Sequence, residues 1–571
     1  MIGIRKKYLV RYIIPIGAVF LAAAVVCLVL LISNMEKDNE TSIKLDKSII
    51  KEEPLKDNLL LYTEYDQGDV ITAYVTVYNG IDPKTGILYD FDEMNKLKTE
   101  SDGEPKLRAH IKIVDRDDKT IVLGEDGEDP NCTIELRGQS TRREELKSYK
   151  IKFYDGIGSF RGQKVLNLNK NTKDYSKVKQ KFCFDYIALF PDMISMRTTF
   201  FHLYVKDAEK GETEFKDYGL FVHVEQPNKD FLRAHGLDVN GSIYKPADYE
   251  FFREEDKIKP TDDPEYDYEE FSKALKIREN EDNEKLIRMI EDVNNYDKDF
   301  NEVFYKYFDI NNYLTWIAMN LLLDNYDTAS RNYLLYSPSY SEKWYFLPWD
   351  YDKALLSDEE KADSRIYNFF GIERYWGNVL HNRFFRNPKN VELLKEKVSI
   401  LYSIMTTDQT EKLTSTYIPV IEYYYSRLPD NTDNGDTLAR AKRYISMFDS
   451  VIKENYIRFF ESLERPMPFF LGTPKLTEKG WYFSWDPSYD LQGDSISYKL
   501  ILAKDIDLSN IIYEKGGIYS TELTVDINLD KGVYYWIVYA YDKNNNRQIP
   551  FEYIIDNRIF YKHGIKRLRV E

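Results

Sequence analysis

Residues 321–352, LLLDNYDTASRNYLLYSPSYSEKWYFLPWDYD, constrain the fold more than any other stretch of the chain. The run opens as the end of an apolar helix over Tyr313–Leu323, breaks into the polar loop DNYDTASRN and continues as an aromatic-rich strand, Tyr333–Tyr336. A turn through Ser337, Pro338 and Ser339 leads to a second strand, Trp344–Leu347, and on to Pro348-Trp349-Asp350-Tyr351-Asp352. Two strands joined by a Ser/Pro turn form a hairpin. Its ends are therefore neighbours, which places Asp327 and Asn332 beside Asp350 and Asp352. Such a set of side-chain oxygens suits a hard divalent cation, Mg²⁺ or Mn²⁺.

Asp327 and Asn332 also satisfy D-x-x-x-x-N, the spacing in which the Asp takes the proton of a substrate hydroxyl and the Asn holds metal. Asp350 then stands where a second metal-binding aspartate belongs. On spacing alone, Asx turns that cap a helix and a hairpin explain the same residues equally well.

LDNYDTASRNYLLY and WYFLPWDYD resemble the CotH family of spore-coat proteins, whose members have an atypical protein-kinase fold. LRGQSTRREELKSYKIKF, YGLFVHVEQPNKDFL and GSIYKPADYEF resemble it in the same order, so the resemblance runs from about Leu136 to Asp352. It implies an α+β, two-lobed, kinase-like fold that uses ATP with Mg²⁺ or Mn²⁺. Asp327 is then the catalytic base, with Asn332, Asp350 and Asp352 at the metal. The same resemblance assigns Arg137, Ser140 and Lys147 to the nucleotide, Glu225 to nucleotide or metal, and Lys245 to phosphate. In the strand Lys147–Phe153 the side chains of Ser148, Lys150 and Lys152 share one face, so Lys152 is a further phosphate candidate. Which lysine touches phosphate stays open. There is no G-x-G-x-x-G loop, a departure that points to an atypical phosphate grip.

Around these motifs, Lys173–Phe190 has helical period, with Val178, Phe182, Tyr186 and Phe190 on one face and Lys179 or Asp185 as candidates to face a cleft. Arg253–Leu286 is highly charged and reads as a solvated insertion. DEEKADSRIYNFFGIERYWGN reads as a substrate-facing segment with Tyr375 and Trp376 as stacking residues, and Val391–Glu461 is helical with a polar break at LPDNTDNGDT.

At 571 residues the chain is too long for one ordinary domain. Its net charge of −17 argues against nucleic acid as a partner, because phosphate binding needs a basic face. Residues 1–11 carry Arg5, Lys6, Lys7 and Arg11, and 12–33 are apolar and uncharged, which predicts a transmembrane helix with a cytoplasmic N-terminus. A cleaved signal peptide is the rival reading, but the run exceeds an ordinary h-region and no A-x-A site follows it. Residues 34–55 then form a stalk, 56–465 the CotH kinase-like domain and 470–571 a β-sandwich. In that last region W-D-P-S-x-D and G-x-Y-Y-W-x-V-x-A-x-D, spaced among short alternating strands, resemble a fibronectin type III domain. Cys132 and Cys183 either pair or lie buried as thiols.

The expectation is a membrane-anchored, single-pass protein with the bulk of the chain extracellular. It would act as a kinase that moves the γ-phosphoryl of ATP to Ser or Thr of surface or spore-coat proteins. The alternatives are a surface scaffold without turnover and a phosphotransferase acting on a glycan.

Overall fold

The computed structural model describes residues 55–63, 68–115, 121–363, 368–431, 436–556 and 560–571. Its first layer is built from β1 (Val70–Ile81), β2 (Leu88–Tyr89), β3 (Lys106–Val114), β4 (Ile121–Leu123), β5 (Cys132–Leu136), β6 (Tyr149–Phe153), β7 (Val165–Asn169), β8 (Thr198–Asp207) and β9 (Lys216–Val224). They form one nine-stranded sheet in the order β2-β1-β8-β9-β7-β6-β5-β3-β4, and β1 also pairs with β3. Seven strands therefore close on themselves, which leaves fewer unpaired edges. The β1–β8 pair is parallel and the other pairs are antiparallel. Alternation sends Ala73, Val75 and Val77 of β1, Ala109, Ile111 and Ile113 of β3, and Ile134, Ile151, Leu166 and Leu203 into one apolar core.

A second sheet, ordered β11-β10-β12-β13, carries the hairpin. It consists of β10 (Ser242–Pro246), β11 (Leu275–Glu279), β12 (Tyr333–Ser337) and β13 (Tyr345–Pro348). The helix Ile310–Leu322 lies against β13, and Trp316 packs on Phe346, its ring tilted, with centroids 4.5 Å apart. Helices Pro388–Ile404, Thr407–Tyr425 and Phe448–Ser462 complete the largest core. A buried pair, Lys170 Nζ to Asp430 Oδ1 at 2.8 Å, ties the first sheet to the segment beyond Tyr425.

The C-terminal strands form two further sheets. One holds β14 (Lys475–Thr477), β15 (Gly480–Ser484) and β18 (Glu522–Val525). The other holds β16 (Ser497–Ala503), β17 (Ile511–Ile518), β19 (Gly532–Tyr541), β20 (Arg547–Gln548) and, paired to β19, β23 (Ile565–Val570). They share a core that includes Trp481, Trp485 and Trp536. Between β20 and β23 lies the hairpin of β21 (Tyr553–Asp556) and β22 (Phe560–His563).

Three expectations are corrected. The fold class is mixed α/β with several sheets, among them the large mixed sheet, and not the expected two-lobed α+β fold; the C-terminal strands form two sheets over a core of their own. Hydrophobic period reports which face of a strand is buried, not which strands meet, so the ladder closure was invisible to it. Among the described residues no helix is long and apolar enough to cross a membrane. The longest, Thr407–Tyr425, carries Asp408, Glu411, Lys412 and Glu422. The expected span 12–33 lies outside the described residues. The transmembrane helix, and with it the single-pass placement with most of the chain outside the cell, is therefore not supported. Finally, the charged segment 253–286 is not all solvated insertion, because Leu275–Glu279 is a strand paired to β10. Cys132 and Cys183 are buried free thiols.

Candidate functional site

The site grows from the end of the buried helix Ile310–Leu322. Asp324 takes a positive φ of 48°, and the Asn325 amide donates back to the Asn320 carbonyl at 3.1 Å. The short turn Tyr326–Thr328 follows, pinned by the Thr328 hydroxyl, which lies 2.8 Å from the Asn325 carbonyl and 2.7 Å from the Tyr375 hydroxyl. The pairing Tyr333↔Pro348 and Leu334↔Leu347 brings Asn332 and Asp350 to the same end of the hairpin. Both sit at positive φ, 59° and 60°. Asn and Asp tolerate that left-handed conformation better than bulkier residues do. Asn332 Nδ2 donates to Asp327 Oδ2 at 3.2 Å, and Asn325 Nδ2 donates to the Asp350 carbonyl at 3.4 Å.

Repulsion couples the acidic members. The Asp352 carboxyl is pushed up to about 7, first by burial and then by the Asp350 carboxylate, against the pull of Lys353 and Lys179. Asp327 is raised as well, mainly by burial; Arg331 opposes the rise, and Asp350 and Asp248 reinforce it. Like charges sharing a site cannot all ionise freely. Arg331 bridges two of these carboxylates, with Nη2 3.0 Å from Asp248 and Nε 3.7 Å from Asp327.

A basic wall faces the acids across Trp349. The Arg137 guanidinium lies 5.9 Å and the Lys245 ammonium 5.6 Å from the indole centroid, both within cation–π range. Asn169 and Asn167 hold Arg137 in place by accepting from it at 2.7 and 3.1 Å. Burial lowers Arg137 to about 10 and Lys245 to about 8, and Asp350 partly restores both charges. Lys276, opposite Lys245 in the β10–β11 ladder, and Arg278 add repulsion that depresses Lys245 further. Two buried cations whose charge is only partly answered by Asp350 suit an anion.

The remaining candidates sit elsewhere or do other work. Ser140 is exposed in the turn Ser140–Arg143, three residues beyond Arg137. Lys147 is buried and donates to the Arg142 and Leu97 carbonyls at 2.5 and 3.4 Å, which closes that turn. Lys147→Met is accordingly expected to lower stability by about 1–3 kcal/mol, the usual result of leaving buried carbonyls unpaired, with nucleotide affinity near wild type; urea melts and calorimetry check both parts. Lys152 is an exposed position on β6. Glu225 is fully buried between Arg197 and His235. Asp185 accepts from Lys181, Thr198 and Tyr417 at 2.9, 2.8 and 2.5 Å, a packing role. Tyr375 is buried in the core, and Trp376 stacks on Tyr489 at 5.4 Å, so neither is an exposed stacking residue.

The site also contains residues that the sequence reading passed over. Lys276 and Arg278 lie in a segment read as solvated, although the K-x-R alternation in LKIRE marks one strand face. Lys179, by contrast, was a sequence candidate for the cleft; it is buried, 2.8 Å from Glu360, with its charge acting on Asp352.

Acidic side chains gathered at the hairpin end and cations gathered at Trp349 describe the site, and comparison with known proteins gives the chain a family. The family model described as CotH kinase protein matches residues 134–456, more than half of the chain, and the chain belongs to that family. The inner spore coat protein H of Bacillus subtilis (strain 168) is 27% identical over 315 residues, which covers 54% of this chain and 82% of that protein. The match ends before the C-terminal strands, so the fibronectin type III resemblance gains no support from it.

Proposed function

We propose that the chain is a metal-dependent phosphotransferase that moves the γ-phosphoryl of ATP to a Ser or Thr hydroxyl. The observation that carries this reading is the convergence on one hairpin end of Asp327, Asn332, Asp350 and Asp352, opposite Arg137 and Lys245 on Trp349. The donor set fits a divalent cation: burial first and the neighbouring Asp350 carboxylate second push Asp352 up to about 7, and a hard dication would relieve both. Asp350, Asp352 and Asn332 would hold Mg²⁺ or Mn²⁺, which when bound would neutralise charge on the nucleotide phosphates.

This chain's own residues do the rest. Arg137 and Lys245 lie against the phosphates and neutralise their charge there. Asp327, steadied by the Asn332 amide, orients the acceptor hydroxyl and takes its proton. Catalysis of this kind is mostly positioning and electrostatics. The curated relative is named as a spore coat protein, and coat proteins are the acceptors proposed for this chain.

Asp350→Ala tests the assignment. It should abolish metal-dependent ATP binding measured by calorimetry with Mn²⁺ while the thermal melt stays close to wild type, because a loop carboxylate adds little to the core. Unchanged nucleotide affinity would remove Asp350 from the metal. Incorporation of labelled γ-phosphate into coat protein, or its absence with nucleotide still bound, separates a kinase from an inactive scaffold.

A further inference from the structure

Two loops at one end of the C-terminal sheets carry three aspartates that the proposed chemistry does not use. Ser497 pairs with Tyr541, so the loop entering β16 and the loop leaving β19 lie side by side. The first supplies Asp490 and Asp494, the second Asp542, and one carboxylate oxygen from each lies within 4.8 Å of the others. Asp490 is only 4% exposed and Asp542 only 6%. Asp490 Oδ1 accepts the amides of Gln492 and Asp494 at 2.9 and 2.8 Å. Its Oδ2 is buried and has no hydrogen-bond partner among the described residues. Asp542 Oδ1 accepts the amides of Asn544 and Asn546, both at 2.8 Å, and Oδ2 accepts Asn546 Nδ2 at 2.7 Å.

Among the described residues, one cation is paired with this cluster. Lys543 Nζ reaches Asp494 Oδ1 at 2.8 Å, from a side chain that is 65% exposed. A solvated ammonium of that kind compensates little, and two nearly buried carboxylates remain beside it. A buried carboxylate oxygen without a partner is costly. A hard cation with oxygen ligands supplies the missing partner. Three protein carboxylates on loops already shaped by their own backbone amides make the kind of site that calcium accepts. Magnesium, which gives up its waters reluctantly, is a poorer fit.

We propose that Asp490, Asp494 and Asp542 bind a calcium ion that fastens the C-terminal strands to the helical body. The same two loops already reach that body. Gln492 Nε2 donates to the Leu463 carbonyl at 3.1 Å and Asn546 Nδ2 to the Glu464 carbonyl at 2.9 Å, just beyond the helix Phe448–Ser462. Gln548 Nε2, on the strand that follows, donates to Glu373 Oε1 and to the Pro466 carbonyl, both at 2.9 Å. An ion that orders the loops therefore orders the junction.

The test titrates calcium chloride, and separately magnesium chloride, into the whole chelator-treated chain without nucleotide. Calcium is expected to bind and to raise the melting temperature. Asp490→Asn and Asp542→Asn, which keep an oxygen for the turn amides, should each weaken calcium binding by about tenfold or more, whereas Asp350→Ala should leave it unchanged. Wild-type calcium affinity in Asp542→Asn overturns the site. Loss of calcium binding in Asp350→Ala moves the ion to the proposed nucleotide site and overturns it too, and equal magnesium affinity overturns the choice of ion. Should the Asn variants fail to fold, proteolysis of the wild-type chain at residues 463–466 decides: protection by calcium supports the proposal, and equal cleavage with calcium and with chelator sinks it.

Discussion

Asp327→Asn is expected to cut phosphoryl transfer by about 10²–10⁴-fold, the contribution of a positioned general base, with ATP affinity close to wild type. The substitution keeps the size and planarity of the side chain, so the turn Tyr326–Thr328 should persist through Thr328 and its contacts to Asn325 and Tyr375. What it removes is the proton acceptor and the negative charge. The contact from Asn332 Nδ2 to Asp327 Oδ2 can survive with the amide turned so that its oxygen accepts. Binding should survive because the proposed grip on the nucleotide, through Asp350, Asp352, Arg137 and Lys245, does not include Asp327. Single-turnover transfer measured beside nucleotide titrations separates the two effects. Wild-type transfer would place the base elsewhere. Asp324 is a poor substitute, since its Oδ1 is held by Arg374 at 3.0 Å.

The contact between Asp327 and Asn332 and the return of Asp350 to the same edge were legible in the sequence, and for one reason. A hairpin is a local object, and a Ser/Pro turn between two aromatic strands fixes which ends meet. The helical face of Val178, Phe182 and Tyr186 was legible on the same terms, and all three are buried. The basic wall was only half visible. Arg137 and Lys245 stood out through the family resemblance, but their convergence on Trp349 joins strands of two different sheets. No periodicity encodes that distance. Lys276 and Arg278 were hidden by the acidic residues around them, because composition averages over a segment whereas a strand face selects every second residue. Lys147 shows the opposite failure. A lysine beside a polar loop looks available for phosphate, yet its ammonium closes that loop on two carbonyls.

Glu225 carries the largest stability prediction. It is 0% exposed and accepts from Arg197 Nε at 3.1 Å and from the Arg197 backbone amide at 3.1 Å, and Arg197 Nη2 forms a further close contact. His235 lies 3.0 Å away through Nε2, and its Nδ1 is 2.5 Å from Asp57 in the segment ahead of β1. Two buried cations thus depend on this carboxylate. Glu225→Gln keeps the shape, removes the charge and is expected to cost about 3–5 kcal/mol, as breaking one side of a buried pair does. The pH dependence has a definite sign. Burial alone would raise Glu225, but His235 and Arg197 overcome it and hold the carboxyl at about 2. Against an unfolded value of about 4.3, that stabilisation is complete above about 4.3 and is lost as pH falls towards 2. Burial likewise would lower His235, but Glu225 and Asp57 lift it to about 9. Its contribution is complete below the unfolded value of about 6.5 and is lost as pH rises through 9. The network therefore stabilises most between about 4.3 and 6.5, and in Glu225→Gln both flanks of that window should flatten. Urea unfolding of the two proteins from pH 3 to 10 measures this. A variant within 1 kcal/mol of wild type across the range would mean that Arg197 and His235 find other partners, and that the cluster is not what anchors residues 55–63 to the body.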